Sequence, residues 1–487
     1  MPALTVSALP ADILLYLISF LDHSADVRAL ALLSPTLHAL IHANDLVAKT
    51  QYRSLRISSL RDVTNAFTTL LAILRNPKLG SYVRHIEMDI PIRSPLSYLP
   101  RKHDRSLGEA DMQLLRRAIN KAGFTAHSED RLLNMLMQEI TPARDWGYLT
   151  YYDSEYGVSG KSTFIVQAIT TLLVASSPHL TSLAISPPFW EYTSSPRDDS
   201  QEDISLLAAK IEKYPLAKFL TQSNSSNLSR TSPYLGQLKH FRLLTTATKS
   251  PDARSRACAP QDLLLCIELI HALPGIQSLC IQAIQGFGNA SGPALAGMLP
   301  PASSNISCLD LRECDFKSEL LCRVIRAMKC LRELRYSVVQ GGCYAGFVEM
   351  FDRRSLVQAV LQHRRTLEVL DLDFDDRMGQ FLASGGEGEG EGGEEGDYGR
   401  SGLREFTALR CLSLGVHCLW YIASGMGMSG EVDLVDCLPS RLEYLRVRGY
   451  ERGDTDTLDR MLAGVESKRL PALRTVEGIH ECIPVGK

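Results

Sequence analysis

Residues 306–316 read Ile-Ser-Cys-Leu-Asp-Leu-Arg-Glu-Cys-Asp-Phe, and the spacing of their apolar side chains decides the fold. Ile306, Leu309 and Leu311 follow the order apolar-x-x-Leu-x-apolar. Side chains two apart on a strand share a face, so Leu309 and Leu311 point one way and Asp310 and Arg312 the other. Upstream the same spacing recurs at Leu180, Leu183, Ile185, at Leu238, Phe241, Leu243, and at Ile276, Leu279, Ile281. Downstream it recurs at Leu331, Leu334, Tyr336, at Leu367, Leu370, Leu372, at Leu409, Leu412, Leu414, and at Leu442, Leu445, Val447, with a degenerate end at Leu473 and Val476. Copies are separated irregularly, by roughly 25 to 60 residues. Apolar helical patterns fall between them at Phe164–Val174, Asp262–Ala272, Glu319–Ala327, Leu356–His363 and Thr457–Ala463. One helix-plus-strand unit cannot cover its own apolar face, whereas stacked units place the strands in a parallel sheet with the helices outside. The spacing therefore predicts an α/β array over residues 164–487. An ordinary α/β sheet with leucine-rich strands explains so many copies of one spacing less well.

Residues 1–50 predict three short helices. Pro10 suits a first helical position, and Ile13, Leu14, Leu17, Ile18 and Leu21 recur at helical spacing behind it. Ser24 caps a second helix faced by Val27, Leu30, Ala31 and Leu33. Ser34-Pro35 opens a third, faced by Leu37, Leu40 and Ile41. Three helices of this length bury too little surface to stand alone, so the remaining apolar face calls for a partner or a neighbouring domain. Residues 51–163 read as a helical and mixed connecting region. It holds a helix over Val63–Leu74, a first strand over Val83–Ile90, a polar loop at Arg101–Ser106, helices over Leu107–Lys121 and Ser128–Glu139, and an aromatic turn region from Trp146 to Tyr156. Segments 191–203 and 222–232 read as polar loops. The Gly/Glu tract at 385–399 has nothing to bury before Tyr398 and reads as a disordered spacer.

Composition excludes several function classes. Fifty-two Lys and Arg against 55 Asp and Glu leave a net charge of -3, so no global basic field recruits nucleic acid or an anionic membrane. The first basic residue is Arg28 and no apolar run reaches the length of a membrane span, so neither a signal peptide nor a membrane association is expected. The expected location is cytoplasmic, nuclear or both. All 12 cysteines lie at or after Cys258 without a C-x-x-C pair, which predicts reduced thiols and neither disulfides nor a metal site.

Catalytic patterns are missing as well. Gly157-Val158-Ser159-Gly160-Lys161-Ser162-Thr163 ends like a phosphate loop, but the required first glycine falls on Glu155, whose carboxylate would repel phosphate. Ser162 reads more simply as a helix cap. No nucleophile elbow and no His-Glu-x-x-His helix occurs, so no catalytic, cofactor-binding or metal residues are assigned and no enzyme is expected. The outward strand positions carry charge instead. Asp371, Asp373 and Asp375 alternate as an acidic strip, and Tyr444, Arg446 and Arg448 alternate on a later copy with the opposite sign. Arg332 and Arg335 flank another copy. Such a face can steer a target protein.

The N-terminal residues Leu9-Pro10, Asp12-Ile13-Leu14, Ile18, Phe20-Leu21, Asp26, Leu30, Leu33-Ser34, Leu37 and Leu40 together resemble an F-box. The aromatic residue common in that family near Leu37 is absent. The array behind it resembles irregular leucine-rich repeats of the kind found in fungal F-box proteins. In that pattern Cys314 fills the asparagine/cysteine slot, where its side chain would bond loop backbone. The resemblance implies a three-helix F-box-like module followed by an irregular leucine-rich-repeat-like solenoid. It further implies a substrate-recognition subunit of a Skp–cullin–F-box ubiquitin ligase. Leu9, Pro10, Asp12, Ile13, Leu14, Ile18 and Leu21 would then dock on the Skp-type adaptor, while the solenoid selects an unknown target. A leucine-rich scaffold without ligase association is the alternative.

Overall fold

The computed structural model describes residues 9–90, 104–139, 160–188, 214–229, 234–244, 248–249, 256–257, 259–261, 263–286, 299–314, 316–338, 353–373, 402–423, 437–449 and 470–478. The chain divides into two units, one of residues 1–192, 204–244 and 273–275, the other of residues 193–203, 245–272 and 276–487.

The first unit opens with four short helices where three were expected: α1 (Ala11–Ile18), α2 (Ser24–Ala31), α3 (Pro35–Ala43) and α4 (Leu46–Arg53). Ser34 caps α3 as predicted, its Oγ accepting from the Leu37 amide at 3.2 Å with Pro35 in the first turn. Pro10 occupies the cap of α1 rather than its first turn, and Ser24 is the first residue inside α2, with His23 at the cap. Ile18, Val27, Ala31 and Ile41 form the shared core, with Leu21, Leu30, Leu40, Leu46 and Val47 packed against it. Asp45, in left-handed backbone at φ 52°, turns the chain from α3 into α4. Its carboxylate meets Lys78 Nζ at 2.6 Å and accepts from the Tyr82 hydroxyl at 3.1 Å, tying the helices to the residues that follow.

Strand β1 (Ser54–Ile57) follows α4 directly. Next come α5 (Leu60–Arg75), α6 (Pro77–Gly80), β2 (His85–Met88), α7 (Glu109–Lys121), α8 (His127–Leu136), α9 (Gly160–Ala175), β3 (Ser182–Ile185), α10 (Pro215–Ser229) and β4 (His240–Leu243). The four strands pair in chain order, all parallel. The ladder thus begins at residue 54, within the expected connecting region, and the strand placed over Val83–Ile90 is its second. β1 carries the same two-apart pair, Leu55 and Ile57, but the leading apolar place of the spacing falls on Tyr52, inside α4. Another correction concerns residues 222–229, expected in a loop but forming the end of α10, which packs against α9 with Ser223 and Asn224 buried. Tertiary contact here outweighs the weak helix propensity of Ser and Asn.

The second unit carries α11 (Leu263–Glu268), β5 (Ser278–Gln282), β6 (Cys308–Arg312), α12 (Ser318–Ala327), β7 (Glu333–Ser337), α13 (Arg353–Leu361), β8 (Val369–Asp373), β9 (Cys411–Gly415), α14 (Val416–Ala423), β10 (Tyr444–Arg448) and β11 (Thr475–Glu477). Its strands also pair in chain order and all parallel. The register stacks Leu279, Leu309, Leu334, Leu370, Leu412, Leu445 and Val476 in one row. Ile281, Leu311, Tyr336, Leu372, Leu414 and Val447 stack in the next, and these side chains are buried. Two short pairings lie beside the ladder, Thr248–Lys249 with Arg256–Ala257 and Ala259–Gln261 with Ile284–Gly286. An α/β architecture with a parallel ladder and intervening helices is therefore present.

Cys314 is buried, with Sγ 3.2 Å from the Arg312 carbonyl of β6 and 3.8 Å from the Ile281 carbonyl of β5, so its partners lie on strands and not on the loop that its slot implied. Cys418 and His417 lie in α14. The Gly/Glu tract, the helix over Thr457–Ala463 and the loop at 191–203 fall outside the described residues.

His363 is a buried side chain that the sequence did not single out. Its Nε2 lies 3.0 Å from the Ile325 carbonyl, and its Nδ1 accepts from the Leu331 amide at 3.5 Å. That pattern requires the neutral ring with its proton on Nε2. Burial pushes its pKa below the ordinary 6.5, although the Ile325 bond acts the other way. A depressed folded-state pKa contributes stability above the unfolded value and loses it as pH falls through the folded one. Denaturant titrations should therefore show stability declining below about pH 6.5, with a shallower decline in His363→Gln. An unchanged slope would contradict the neutral ring.

Candidate functional site

The opening helices separate their apolar residues into two sets. Leu14 and Ile18 recur four apart on α1 and turn inward, 4% and 3% exposed. Ile13, Tyr16, Leu17 and Phe20 recur three, four and seven apart on the opposite stripe and lie open. The Tyr16 and Phe20 rings meet edge to face, centroids 4.9 Å apart, so this stripe is ordered by its own contacts. The α2–α3 turn adds Leu32 at 85% and Leu33 at 73% exposed. These six are the exposed large hydrophobic residues found among the described residues, and all fall between 13 and 33.

The residues expected to meet an adaptor divide accordingly. Pro10, Asp12 and Ile13 are exposed, Leu9 and Leu21 half-buried, and Leu14 and Ile18 belong to the interior. Leu14 and Ile18 therefore cannot be contact residues unless the bundle opens, and Ile18 is part of its core. Tyr16 was missed and Leu17, Phe20 and Leu33 were not assigned as contacts, although each shows the helical spacing that marks one stripe. Sequence periodicity identifies a wide apolar surface, but only packing decides which half of it the neighbouring helices consume.

On the strands, ion pairs straddle small residues. In the first unit Glu87 on β2 meets Arg56 Nε on β1 at 3.0 Å. It also meets Arg242 Nη2 on β4 at 3.2 Å, across Ala184 of β3. In the second unit Arg448 on β10 reaches across β9, donating to Ser413 Oγ at 2.7 Å and pairing with Asp371 on β8. A second nitrogen of Arg448 lies 3.7 Å from Asp373 Oδ2. Arg446 and Tyr444 both face Glu477 of β11, the tyrosine hydroxyl donating at 2.7 Å. The expected acidic and basic strips thus lie together and partly neutralise each other. Asp375 lies outside the described residues. Arg335 pairs with Glu333, and Arg332 lies 4.0 Å from Glu368.

Nucleophilic chemistry finds no support on this face. The Cys308 thiol is pushed up to about 12 by burial first and then by Glu333, whose carboxylate lies 3.5 Å from Sγ. Burial likewise raises Cys411. The nine described cysteines are free thiols. Gly160-Lys161-Ser162-Thr163 form the start of α9, so Ser162 is inside the helix and does not cap it, while Glu155 and Gly157 fall outside the described residues. Among the described residues no group of three or more His, Cys, Asp or Glu could hold a metal ion, and no helix is long and apolar enough to cross a membrane.

No family model matches the chain, and no curated protein sequence matches it.

The two stripes of α1 should respond differently to truncation. Leu14→Ala should cost about 2–5 kcal/mol of module stability and Ile13→Ala under about 1 kcal/mol. Amide exchange of α1–α3 in the two variants measures both, and equal losses would contradict the division.

Proposed function

We propose that the chain is the target-binding subunit of a Skp–cullin–F-box ubiquitin ligase, docking on a Skp-type adaptor through its opening helices. The observation that carries this reading is the open stripe Ile13, Tyr16, Leu17 and Phe20, joined by Leu32 and Leu33. Concentrated aromatic and aliphatic side chains on one small module are the usual make-up of an interface centre. The sequence order Leu9-Pro10-x-Asp12-Ile13-Leu14 through Phe20-Leu21 to Leu33-Ser34 supports an F-box as the module. The leucine-spaced parallel strands support leucine-rich repeats behind it, with a polar strand face for the target.

A scaffold whose helices only cap the ladder would use the contacts at Asp45, Lys78 and Tyr82. Those contacts engage the α4 side of the module and leave the α1 stripe open, which favours a second protein.

Docking adds Leu17 to the expected contacts and removes Leu14 and Ile18. In pull-downs with purified adaptor, the Ile13→Asp/Leu17→Asp variant should bind at least roughly a hundredfold more weakly, because two apolar anchors of more than about 1.4 kcal/mol each are lost. Its far-ultraviolet dichroism and melting should stay unchanged. Full adaptor binding by that variant would refute the assignment.

A further inference from the structure

Beside the opening helices lies a cleft of about 570 Å³ lined by Ser19, Lys49, Arg53, Ser81, Tyr82, Arg84, His85, His179 and Thr181. The lining holds three permanent cations and two imidazoles but no carboxylate. Among the described residues none of Lys49, Arg53 or Arg84 has a carboxylate within ion-pair distance. Arg53 donates, among the described residues, to the Ser19 carbonyl at 3.1 Å, and Arg84 to the carbonyls of Ser81 and Val83 at 2.6 and 3.1 Å. Each guanidinium therefore keeps N–H groups uncommitted. Lys49 Nζ sits 5.9 Å from the centre of the Tyr82 ring, and His179 Nδ1 lies 3.3 Å from Gln237 Oε1. Asp45, whose carboxylate also feels the charge of Lys49, is already engaged by Lys78 and Tyr82.

The four hydroxyls are committed as donors, Ser19 to Tyr16, Ser81 to Lys78, Thr181 to Arg84 and Tyr82 to Asp45. What the cleft offers is thus positive charge with free N–H donors. The local field shows at His85, held below its ordinary pKa by burial first and then by Arg53, His240 and Arg84. Guanidinium groups pair best with planar or tetrahedral oxyanions, and the cleft has the size of a small-molecule site.

We propose that this cleft binds a small soluble anion bearing two or more phosphate groups, held by Lys49, Arg53 and Arg84 with the imidazoles of His85 and His179 alongside. The chemistry of the cleft is independent of what covers the α1 stripe. The test uses the full chain and tripolyphosphate as the probe, followed by calorimetry and by the ring signals of His85 and His179. Saturable binding is expected, weakening as salt rises. The bound anion should raise the pKa of His85 and displace the ring signals of His179 in the unmodified chain. Lys49→Gln/Arg84→Gln should bind at least tenfold more weakly while melting as the parent does, whereas Arg448→Gln should bind unchanged. No saturable binding, or binding that leaves both histidine signals unmoved, overturns the proposal. Binding of a phosphoserine peptide with none of tripolyphosphate also overturns it, transferring the cleft to a partner protein's segment.

Discussion

Parallel strands that carry apolar side chains at alternate positions can stack in only one register. A slip of one residue would expose the buried row and bury the charged one. The rows through Leu309 and Leu311 obey that constraint from β5 to β10, and the rows through Leu183 and Ile185 obey it in the first unit. Everything polar about the strands follows from it. Residues between the buried ones must share the other face, so Asp310, Arg335, Asp371, Ser413, Arg446 and Glu477 come into register without any local signal asking for it. Their charges then pair across small residues. Ala184 and Ser413 give Glu87 and Arg448 room to reach a strand beyond their neighbour. An exposed pair of this kind contributes little stability on its own, about 1 kcal/mol or less. Its effect is to hold long side chains in defined positions on a surface that a protein target could read.

The helices at the start of the chain face a different limit. Four helices of eight or nine residues cannot enclose all their apolar groups, and the core they manage is small. The side of the module that uses Asp45 and α4 is occupied by its own chain. Ile13, Tyr16, Leu17 and Phe20 remain on water. Isolated exposed leucines are ordinary on any protein, but Ile13, Tyr16 and Leu17 stand on α1, Phe20 follows in the turn behind it, and the Tyr16 and Phe20 rings touch. That arrangement is the physical basis for reading the module as a docking device, and the proposal of a Skp-type adaptor as the partner rests on the resemblance of the opening residues to an F-box.

Much of the ladder was legible in the sequence because leucine spacing reports directly on which side chains a strand buries. Every copy from Leu180 to Val447 contributes a strand. The failures have physical causes. β1 has Tyr52 of α4 in the leading apolar place of the spacing, α4 offers Leu46 and Val47 without a full stripe, and α10 extends through a Ser/Asn run because its neighbour α9 packs on it. On α1 the sequence shows an apolar helix but could not divide its surface, since Leu14 and Leu17 are equivalent until the second and third helices choose a side. The basic cleft was invisible for a related reason. Lys49 and Arg53, Arg84 and His85, and His179 come from three separate stretches of chain, which the pairing of β1, β2 and β3 brings together.

Amide hydrogen exchange of the full chain, alone and with a purified Skp-type adaptor, tests the central claim most directly. The account predicts new protection confined to residues 11–33, strongest along α1 and at the turn holding Leu32 and Leu33. Protection confined to the strands, or no change anywhere at saturating adaptor, would contradict it.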